Sequence, residues 1–516
     1  MASQIPKHAQ ILVVGGGPSG SYTASALAGK GSTSCYWRLH SFPRYHIGES
    51  LIPSVRHYLR FIDAEQKLVE MGFKHKPGAA IKFNQFKREG YTDFVALGHT
   101  NSSWNVVRSA FDKMLLDHAA SCGAKVFEQT SVKAFRFSVT ESSRPVTAEW
   151  LRAADGETGV ISFDYLVDAS GRSGLMSTKY LRNRHFNASL KNIALWGYWT
   201  GVNTYGMNTP REGAPCQCAP DESGWAWFIP LHDGTTSIGV VMNQDIYNEK
   251  VSALKGSSLE DRYRISVSLA PALIKLIGNG KMVQKEASGG QPRQLDLLIR
   301  SASDFSYSAS SYGGPGFRLV GDAGGTNLNI FLVYMMELIP EPSAFIDPFF
   351  SSGIHLAMTS GTICSTAWHT KRFSLSYTRF QIVVMSAYQQ IRSTDLDILN
   401  DVDEDNYDRA FAAIRPVIQG ASEMGSRLSG KELQKALPKD MFDVTAPLMD
   451  PHAIRSIISK TFKHTDPKGD QDFSGPEEDL KLALDQINGR RVVHREYAIN
   501  NLEAEDVNGF VPQEDS

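Results

Sequence analysis

Five residues, Gln10-Ile11-Leu12-Val13-Val14, form an apolar run that stops at Gly15. A run this short, closed by glycine, predicts a parallel strand buried on both faces. The Ala- and Ser-rich stretch from Pro18 to Lys30 predicts a helix entered through glycine, and Leu51 to Met71 predicts a second helical stretch. Lys76 to Val95 has strand-like alternation punctuated by glycine. Phe111 to Ala120 reads as an amphipathic helix and Lys125-Val126-Phe127 as a further strand. From Val132 to Tyr165 the residues alternate around a turn at Ala154-Asp155-Gly156, which predicts antiparallel sheet in a second layer. Tyr165 to Ala169 returns to the first layer, and Leu195 to Met242 is again strand-rich and aromatic. Phe317-Arg318-Leu319-Val320 predicts a last buried strand, followed by a helix beginning near Gly353. From about Arg379 the pattern is helical and charged, and the acidic tail after Ala498 is expected to be loose.

At 516 residues the chain exceeds one ordinary core, so two or three domains are expected. A hydrophobic share of 42% with 21% charged residues describes a folded protein. The net charge of −2 gives no reason to expect nucleic acid or an anionic membrane surface as a partner. The cysteines are Cys35, Cys122, Cys216, Cys218 and Cys364. Their odd number and the lack of a CxxC point to a reducing compartment. No metal is expected: Cys216 and Cys218 have no further His or Cys nearby and read as loop residues. Met1 to Lys7 lacks the apolar core of a signal peptide. The closest approach to a membrane span, Leu328 to Ile339, falls short of the ~18 apolar residues required. A cytoplasmic protein is expected.

Candidate chemistry begins at Gly15-Gly16-Gly17-Pro18-Ser19-Gly20, a GxGxxG between strand and helix. Gly15 permits the tight turn, Gly17 lets the backbone approach a pyrophosphate, and Gly20 lets the helix pack on the strand. The helix N-terminus then faces the negative charge. Val167-Asp168-Ala169-Ser170-Gly171 resembles the second nucleotide-contact strand of FAD proteins. Leu319-Val320-Gly321-Asp322-Ala323-Gly324 resembles their GD box, which implies that Asp322 contacts the ribityl chain. With a single GxGxxG, no built-in NAD(P)H domain is expected.

Four further segments narrow the class. They are Phe42-Pro43-Arg44-Tyr45-His46-Ile47-Gly48-Glu49-Ser50, Trp104-Asn105-Val106-Val107-Arg108, Trp225-Ala226-Trp227-Phe228-Ile229-Pro230 and Asp347-Pro348-Phe349-Phe350-Ser351-Ser352-Gly353. Together they resemble flavin-dependent halogenases, most of all fungal enzymes that chlorinate phenolic polyketides, from about Gln10 to about Gly420. The resemblance implies an α/β fold: a Rossmann-like, aromatic-hydroxylase-type FAD domain (1–190 and 311–370), an antiparallel substrate sheet (76–100 and 191–310) and a helical C-terminal region (371–516). It implies FAD supplied as FADH2 by a separate flavin reductase, with chloride and O2 as co-substrates. Gly15, Gly17, Gly20, Glu49, Arg108 and Asp322 are the implied cofactor residues, and Ser352 and Gly353 the implied chloride site at a helix start. Trp225 and Trp227, on one side of a strand, would keep the organic substrate away from the flavin.

The residues themselves do not choose among Lys74, Lys76, Lys82 and Lys87. The resemblance puts the family's essential lysine at Lys82, where burial would lower its pKa and free the amine to hold hypochlorous acid or carry chlorine. Phe350 stands where tryptophan-type halogenases have a catalytic Glu, which favours a phenolic substrate that activates its own ring. A flavin-dependent hydroxylase and an inactive paralogue are the competing readings; chloride dependence and flavin binding separate them.

Two stretches depart from the family. Ser32 to His40 has no good strand pattern and puts Arg38 where an acidic residue usually meets the adenosine ribose. A shifted reading frame over Cys35 to Ser41 would restore the usual pattern. Gly325 to Ser343 separates the GD box from the Asp347 motif and reads either as a retained intron or as a lid helix.

Overall fold

The computed structural model describes residues 4–28, 34–37, 44–83, 89–186, 191–218, 223–252, 258–284, 299–303, 307–309, 312–323 and 348–363. Further along it describes 415–420, 451–461 and scattered positions between 380 and 491. The principal elements of the first half are β1 (His8–Val14), α1 (Pro18–Ala28), β2 (Ser34–Trp37), α2 (Ser54–Phe61), α3 (Glu65–Glu70), β3 (Lys74–Lys76), β4 (Gly78–Lys82), β5 (Gly90–Asp93), β6 (Ser103–Asn105), α4 (Arg108–Ser121), β7 (Lys125–Phe127), β8 (Thr130–Phe137), β9 (Pro145–Arg152) and β10 (Thr158–Asp168). The second half adds β11 (Asn192–Thr200), β12 (Cys216–Cys218), β13 (Gly224–Pro230), β14 (Thr236–Asn243), α5 (Leu259–Ser268), α6 (Pro271–Ile277), β15 (Arg300–Ser303), β16 (Phe317–Leu319), α7 (Gly353–Ile363) and α8 (Pro451–Thr461).

The first sheet runs β16–β10–β1–β2–β7, every neighbouring pair parallel. Alternation along β1 feeds two cores. Ile11 and Val13 join Ala24, Leu116 and Ala119 beneath α1 and α4, while Leu12 and Val14 join Phe163, Leu166 and Leu319 on the other face. β2 is a full member of this sheet, although its sequence does not alternate. A parallel strand enclosed by neighbours needs no alternation. Arg38 lies outside the described residues.

Two expectations are corrected here. The alternating stretch from Val132 to Tyr165 does not form a second layer. β10 is long enough to serve three neighbours: β16 beside its second half, β9 beside its first, and β1 on the other edge, so Ser162 lies opposite both Thr147 of antiparallel β9 and His8 of parallel β1. The hairpin β8–β9 therefore extends the first sheet. The helical stretch from Leu51 to Met71 is likewise two helices, broken at Asp63, which takes a left-handed φ of 58° that Asp tolerates better than most residues.

The second sheet runs β5–β4–β12–β13–β14–β11, with β15 also on β11. Cys216 and Cys218 belong to β12, paired with β4 and β13, and are not loop residues as expected. A row of partners crosses the sheet: Ile81, Gln217, Trp227, Gly239 and Trp196. A Cβ on Gly239 would lie 2.2 Å from the Trp227 ring, so glycine there gives the indole its place. One face, with Ala80, Ala226, Phe228 and Val240, packs on Tyr263, Leu273 and Ile277 of α5 and α6. The other face, with Ile81, Trp225 and Trp227, meets Leu51, Val55, Phe349, Phe350 and Ile354. The candidate site lies at this second junction.

In the C-terminal region, Ile454 and Ile458 of α8 form a small core with Leu480, Leu484 and Ile487. It is tied back through a buried pair, Arg415 Nη2 to Asp485 Oδ1 at 2.8 Å, and through Gln419, which accepts from Asn101 Nδ2 at 2.8 Å. The Gly325–Ser343 segment and the tail after Ala498 lie outside the described residues. Among the described residues no helix is long and apolar enough to cross a membrane.

Candidate active site

The glycine motif makes a cradle. Gly15 has φ +126°, and a Cβ on it would come 1.9 Å from the Ala169 carbonyl oxygen. A Cβ on Gly20 would come 2.1 Å from the Gly15 oxygen, so both positions are closed to side chains. Gly17 differs: no heavy atom lies within 4 Å of its hypothetical Cβ. Open space beside a helix N-terminus at the carboxyl ends of parallel strands suits a pyrophosphate. Asp168 holds the neighbouring turn, accepting from Ser170 N at 3.0 Å and Met176 N at 2.8 Å.

The GD box reaches the same place. A Cβ on Gly321 would come 2.6 Å from Ser19 Oγ at the start of α1, and Gly321 N donates to Ser360 Oγ of α7 at 2.9 Å. Desolvation pushes the Asp322 carboxyl up to about 6, with Arg108, Arg172 and Arg184 opposing the rise. Arg108 also meets the Gly48-Glu49 loop: Nη1 donates to the Ile47 carbonyl at 2.6 Å, while Nε is held by Asp112 at 2.9 Å. Backbone pairing joins the two motifs, through Val106 N to Glu49 O at 2.7 Å and Leu51 N to Trp104 O at 3.0 Å.

Glu49 is enclosed. Its Oε1 accepts from Tyr198 OH, whereas Oε2 is buried with no hydrogen-bond partner among the described residues. Burial pushes this carboxyl up to about 7; the Tyr198 hydrogen bond, the nearby Ser237 hydroxyl and the Arg108 charge oppose the rise, and Asp233 adds to it. A buried acceptor without a donor marks a place a ligand can complete. With the Gly17 cradle, it makes the residues present fit FAD.

An aromatic wall runs from this point to the start of α7. Ring centres are 6.2 Å apart for Trp196–Trp227, 5.7 Å for Trp225–Trp227, 5.2 Å for Trp225–Phe349 and 4.8 Å for Phe349–Phe350. At its end Ser351 takes φ 58°, and the Ser352 carbonyl accepts the first bond of α7 from Leu356 N at 2.9 Å. Ser352 Oγ is buried with no hydrogen-bond partner among the described residues, so it does not cap the helix. The first-turn amides after it have no intrahelical acceptors, and the positive, N-terminal end of the helix dipole favours an anion.

Lys82 does not take the expected position. It is half-buried at the end of β4, with Phe83 stacked on Phe349 at 6.4 Å. Side chains alternate along β4, so Lys82 shares the side of Ala80, away from the side on which Ile81 meets the Trp wall. Among Lys74, Lys76 and Lys82 the buried one is Lys76, 1% exposed, on β3. Its Nζ donates to Ser50 Oγ at 2.8 Å and Leu51 O at 2.7 Å, and lies 5.1 Å from the centre of the Phe94 ring. Burial lowers its pKa to about 7. Sequence reasoning also passed over His355, buried at 2.8 Å from Ser54 Oγ and held down to about 3 by desolvation. Neither residue carries a distinguishing local pattern. Among the described residues no group of His, Cys, Asp or Glu is placed to hold a metal.

A glycine cradle on a parallel sheet, a GD box beside it and a second sheet closing over both define an FAD-binding enzyme. Residues 8–190 match the FAD binding domain family. The chain is 44% identical to the flavin-dependent halogenase armH4 of Armillaria mellea, over 99% of this chain and 97% of that protein. It is 43% identical to the flavin-dependent halogenase ascD of Acremonium egyptiacum, over 99% and 92%. Of solved structures, the myxobacterial chondrochloren halogenase CndH shares the fold with a TM-score of 0.62 at 24% identity, covering 79% of this chain and 89% of that one. The halogenase PltM, solved with phloroglucinol and FAD, has a TM-score of 0.57 at 15% identity, covering 95% and 92%. The protein belongs to the flavin-dependent halogenases.

Proposed function

We propose that this enzyme chlorinates an electron-rich phenolic ring of the polyketide type in secondary metabolism, in the cytoplasm, with chloride and O2 as co-substrates and FADH2 from a separate flavin reductase. Residues 1–190 with 311–370 hold FAD through Gly15, Gly17, Gly20, Glu49, Arg108 and Asp322, and 76–100 with 191–310 form the substrate side. The observation that carries the reading is the Lys76 amine. It is fully buried without a carboxylate in ion-pair range among the described residues, at the edge of the core that contains Trp225, Trp227 and Phe350. A buried amine with a lowered pKa and a specific hydrogen-bonded setting is a candidate for chemistry. We therefore assign it the role first expected of Lys82.

Bound reduced FAD supplies the electrons with which O2 and chloride yield hypochlorous acid. The chain holds and steers. The amides at Ser352 and Gly353 hold chloride, and the Trp225–Trp227 wall separates the organic ring from the flavin. Lys76 Nζ binds hypochlorous acid and presents its chlorine to the ring, which loses its proton as chlorine enters and water leaves. Phe350 puts no carboxyl beside the ring, so the substrate must bring its own activating oxygen. The halogenase PltM has been solved with such a ring, phloroglucinol, bound.

The test is incubation with FAD, a flavin reductase, NADH, chloride and resorcinol-type phenols, read by mass spectrometry for the chlorine isotope pair. Chlorination is expected for the wild type and Lys82→Ala, and loss in Lys76→Ala. Loss in Lys82→Ala alone returns the amine to Lys82. Hydroxylation independent of chloride overturns the halogenation itself.

A further inference from the structure

We propose that Tyr45, Tyr198 and Glu49 form a proton relay from solvent to the enclosed carboxyl beside Arg108. Three hydrogen bonds stand in file. Trp196 Nε1 donates to Tyr45 OH at 2.5 Å, the Tyr45 and Tyr198 hydroxyls are 2.9 Å apart, and Tyr198 OH donates to Glu49 Oε1. An ionised Glu49 only accepts, so it takes the Tyr198 hydrogen and leaves Tyr198 to accept the hydrogen of Tyr45, whose own oxygen accepts from the indole N–H. Exposure falls along the file, from 36% at Tyr45 through 8% at Tyr198 to 3% at Glu49. The outer end is fixed by Arg300, whose guanidinium lies 3.7 Å from the centre of the Tyr45 ring and which pairs with Trp196 across β15 and β11.

This geometry moves a proton without making a phenolate. A proton arriving on the second lone pair of Tyr45 lets Tyr45 hand its own to Tyr198, and Tyr198 hand its own to Glu49 Oε1. Both phenols are restored, and the carboxylate has become a carboxylic acid. Burial keeps both phenols neutral, raising Tyr45 to about 12 and Tyr198 further, so the hand-off is concerted. The groups that face Glu49 are Tyr198, Ser237, Arg108 and Asp233; those that face Tyr45 are Glu49, Tyr198, Trp196 and Arg300. Glu49 Oε2, the oxygen without a partner among the described residues, is the inner outlet.

A halogenase needs such a supply. The balanced reaction is ArH + Cl⁻ + O2 + FADH2 + H⁺ → ArCl + FAD + 2 H2O, so every turnover consumes a proton, and the carboxyl that would hold it is enclosed. This use of the relay rests on the halogenase reading, but the relay can be measured on the FAD-free chain.

The experiment is a pH jump followed by infrared absorption of the carboxyl band, which Glu49→Gln removes; a shift of the band in Tyr198→Phe identifies it should Glu49→Gln not fold. In wild type the band titrates near neutrality and appears rapidly. Tyr45→Phe leaves the Tyr198–Glu49 bond in place, so the midpoint stays while protonation slows by about 10²-fold. A purely structural role for the two tyrosines would leave the rate in Tyr45→Phe at the wild-type value, and that result overturns the relay. So does a carboxyl that never titrates between about pH 5 and 9. Failure of chlorination in the wild type would sink the function and leave the infrared result standing.

Discussion

Replacing Lys76 by Met should make the protein more stable at neutral pH and inactive. An unfolded lysine titrates at 10.5, and Lys76 titrates at about 7. At pH 7 this gap corresponds to about 4 kcal/mol, the cost of enclosing a cation that the unfolded chain keeps in water. The folded value is the lower one, so between about 7 and 10.5 the unfolded chain binds more protons than the folded chain, and wild-type stability rises with pH. The penalty is complete below 7 and gone above 10.5. Methionine has similar reach and no charge, so it removes the penalty with little change in packing. It also leaves Ser50 Oγ and Leu51 O without the donor that met them at 2.8 and 2.7 Å. Each lost bond costs about 1–1.5 kcal/mol. Lys76→Met should therefore be about 1–2 kcal/mol more stable than wild type at pH 7 and about 1–2 kcal/mol less stable near pH 10. Urea unfolding of both proteins at several pH values, with equal m-values, measures the difference. A difference that stays constant with pH would refute the reasoning, because it would mean that Lys76 keeps an ordinary pKa and is not a desolvated amine.

The open cradle gives a second expectation. Gly17→Val should leave the FAD-free protein within about 0.5 kcal/mol of wild type, since nothing lies within 4 Å of the new Cβ. It should weaken FAD at least about tenfold, a cost of about 1.4 kcal/mol, as read by quenching of flavin fluorescence. The buried pair at the C-terminal region gives a third: Arg415→Met leaves Asp485 enclosed without its cation and should cost about 3–5 kcal/mol, seen as a lower urea midpoint and faster proteolysis after residue 415.

What could be read from the residues, and what could not, divides along one physical line. Gly15 and Gly20 were legible because a glycine demanded by sterics has no substitute, and the spacing repeats the turn. Trp225 and Trp227 were legible because a period of two puts them on one side of any strand, and large apolar rings belong inside. Cys35-Tyr36-Trp37 was not recognised as a strand, because an enclosed parallel strand shows no alternation. Lys82 was favoured on the family resemblance, since the residues did not choose among the lysines; parity places it opposite Ile81, and only the register of β4 against β12 reveals which of those two sides meets the Trp wall. Lys76 sits in Lys74-His75-Lys76, a tripeptide whose composition reads as surface. Its burial comes from Ser50, Leu51 and Phe94, none of them adjacent in sequence. The partner of Glu49 is equally remote, for Tyr198 reaches it across about 150 positions. Sequence patterns report where apolar groups go, because burial is their default. A buried polar group is an exception sustained by neighbours from other segments, and Lys76, Glu49 and Tyr198 are all of this kind. The costliest groups to enclose are therefore the ones least legible in the chain, and they are the ones to which this enzyme's chemistry is assigned here.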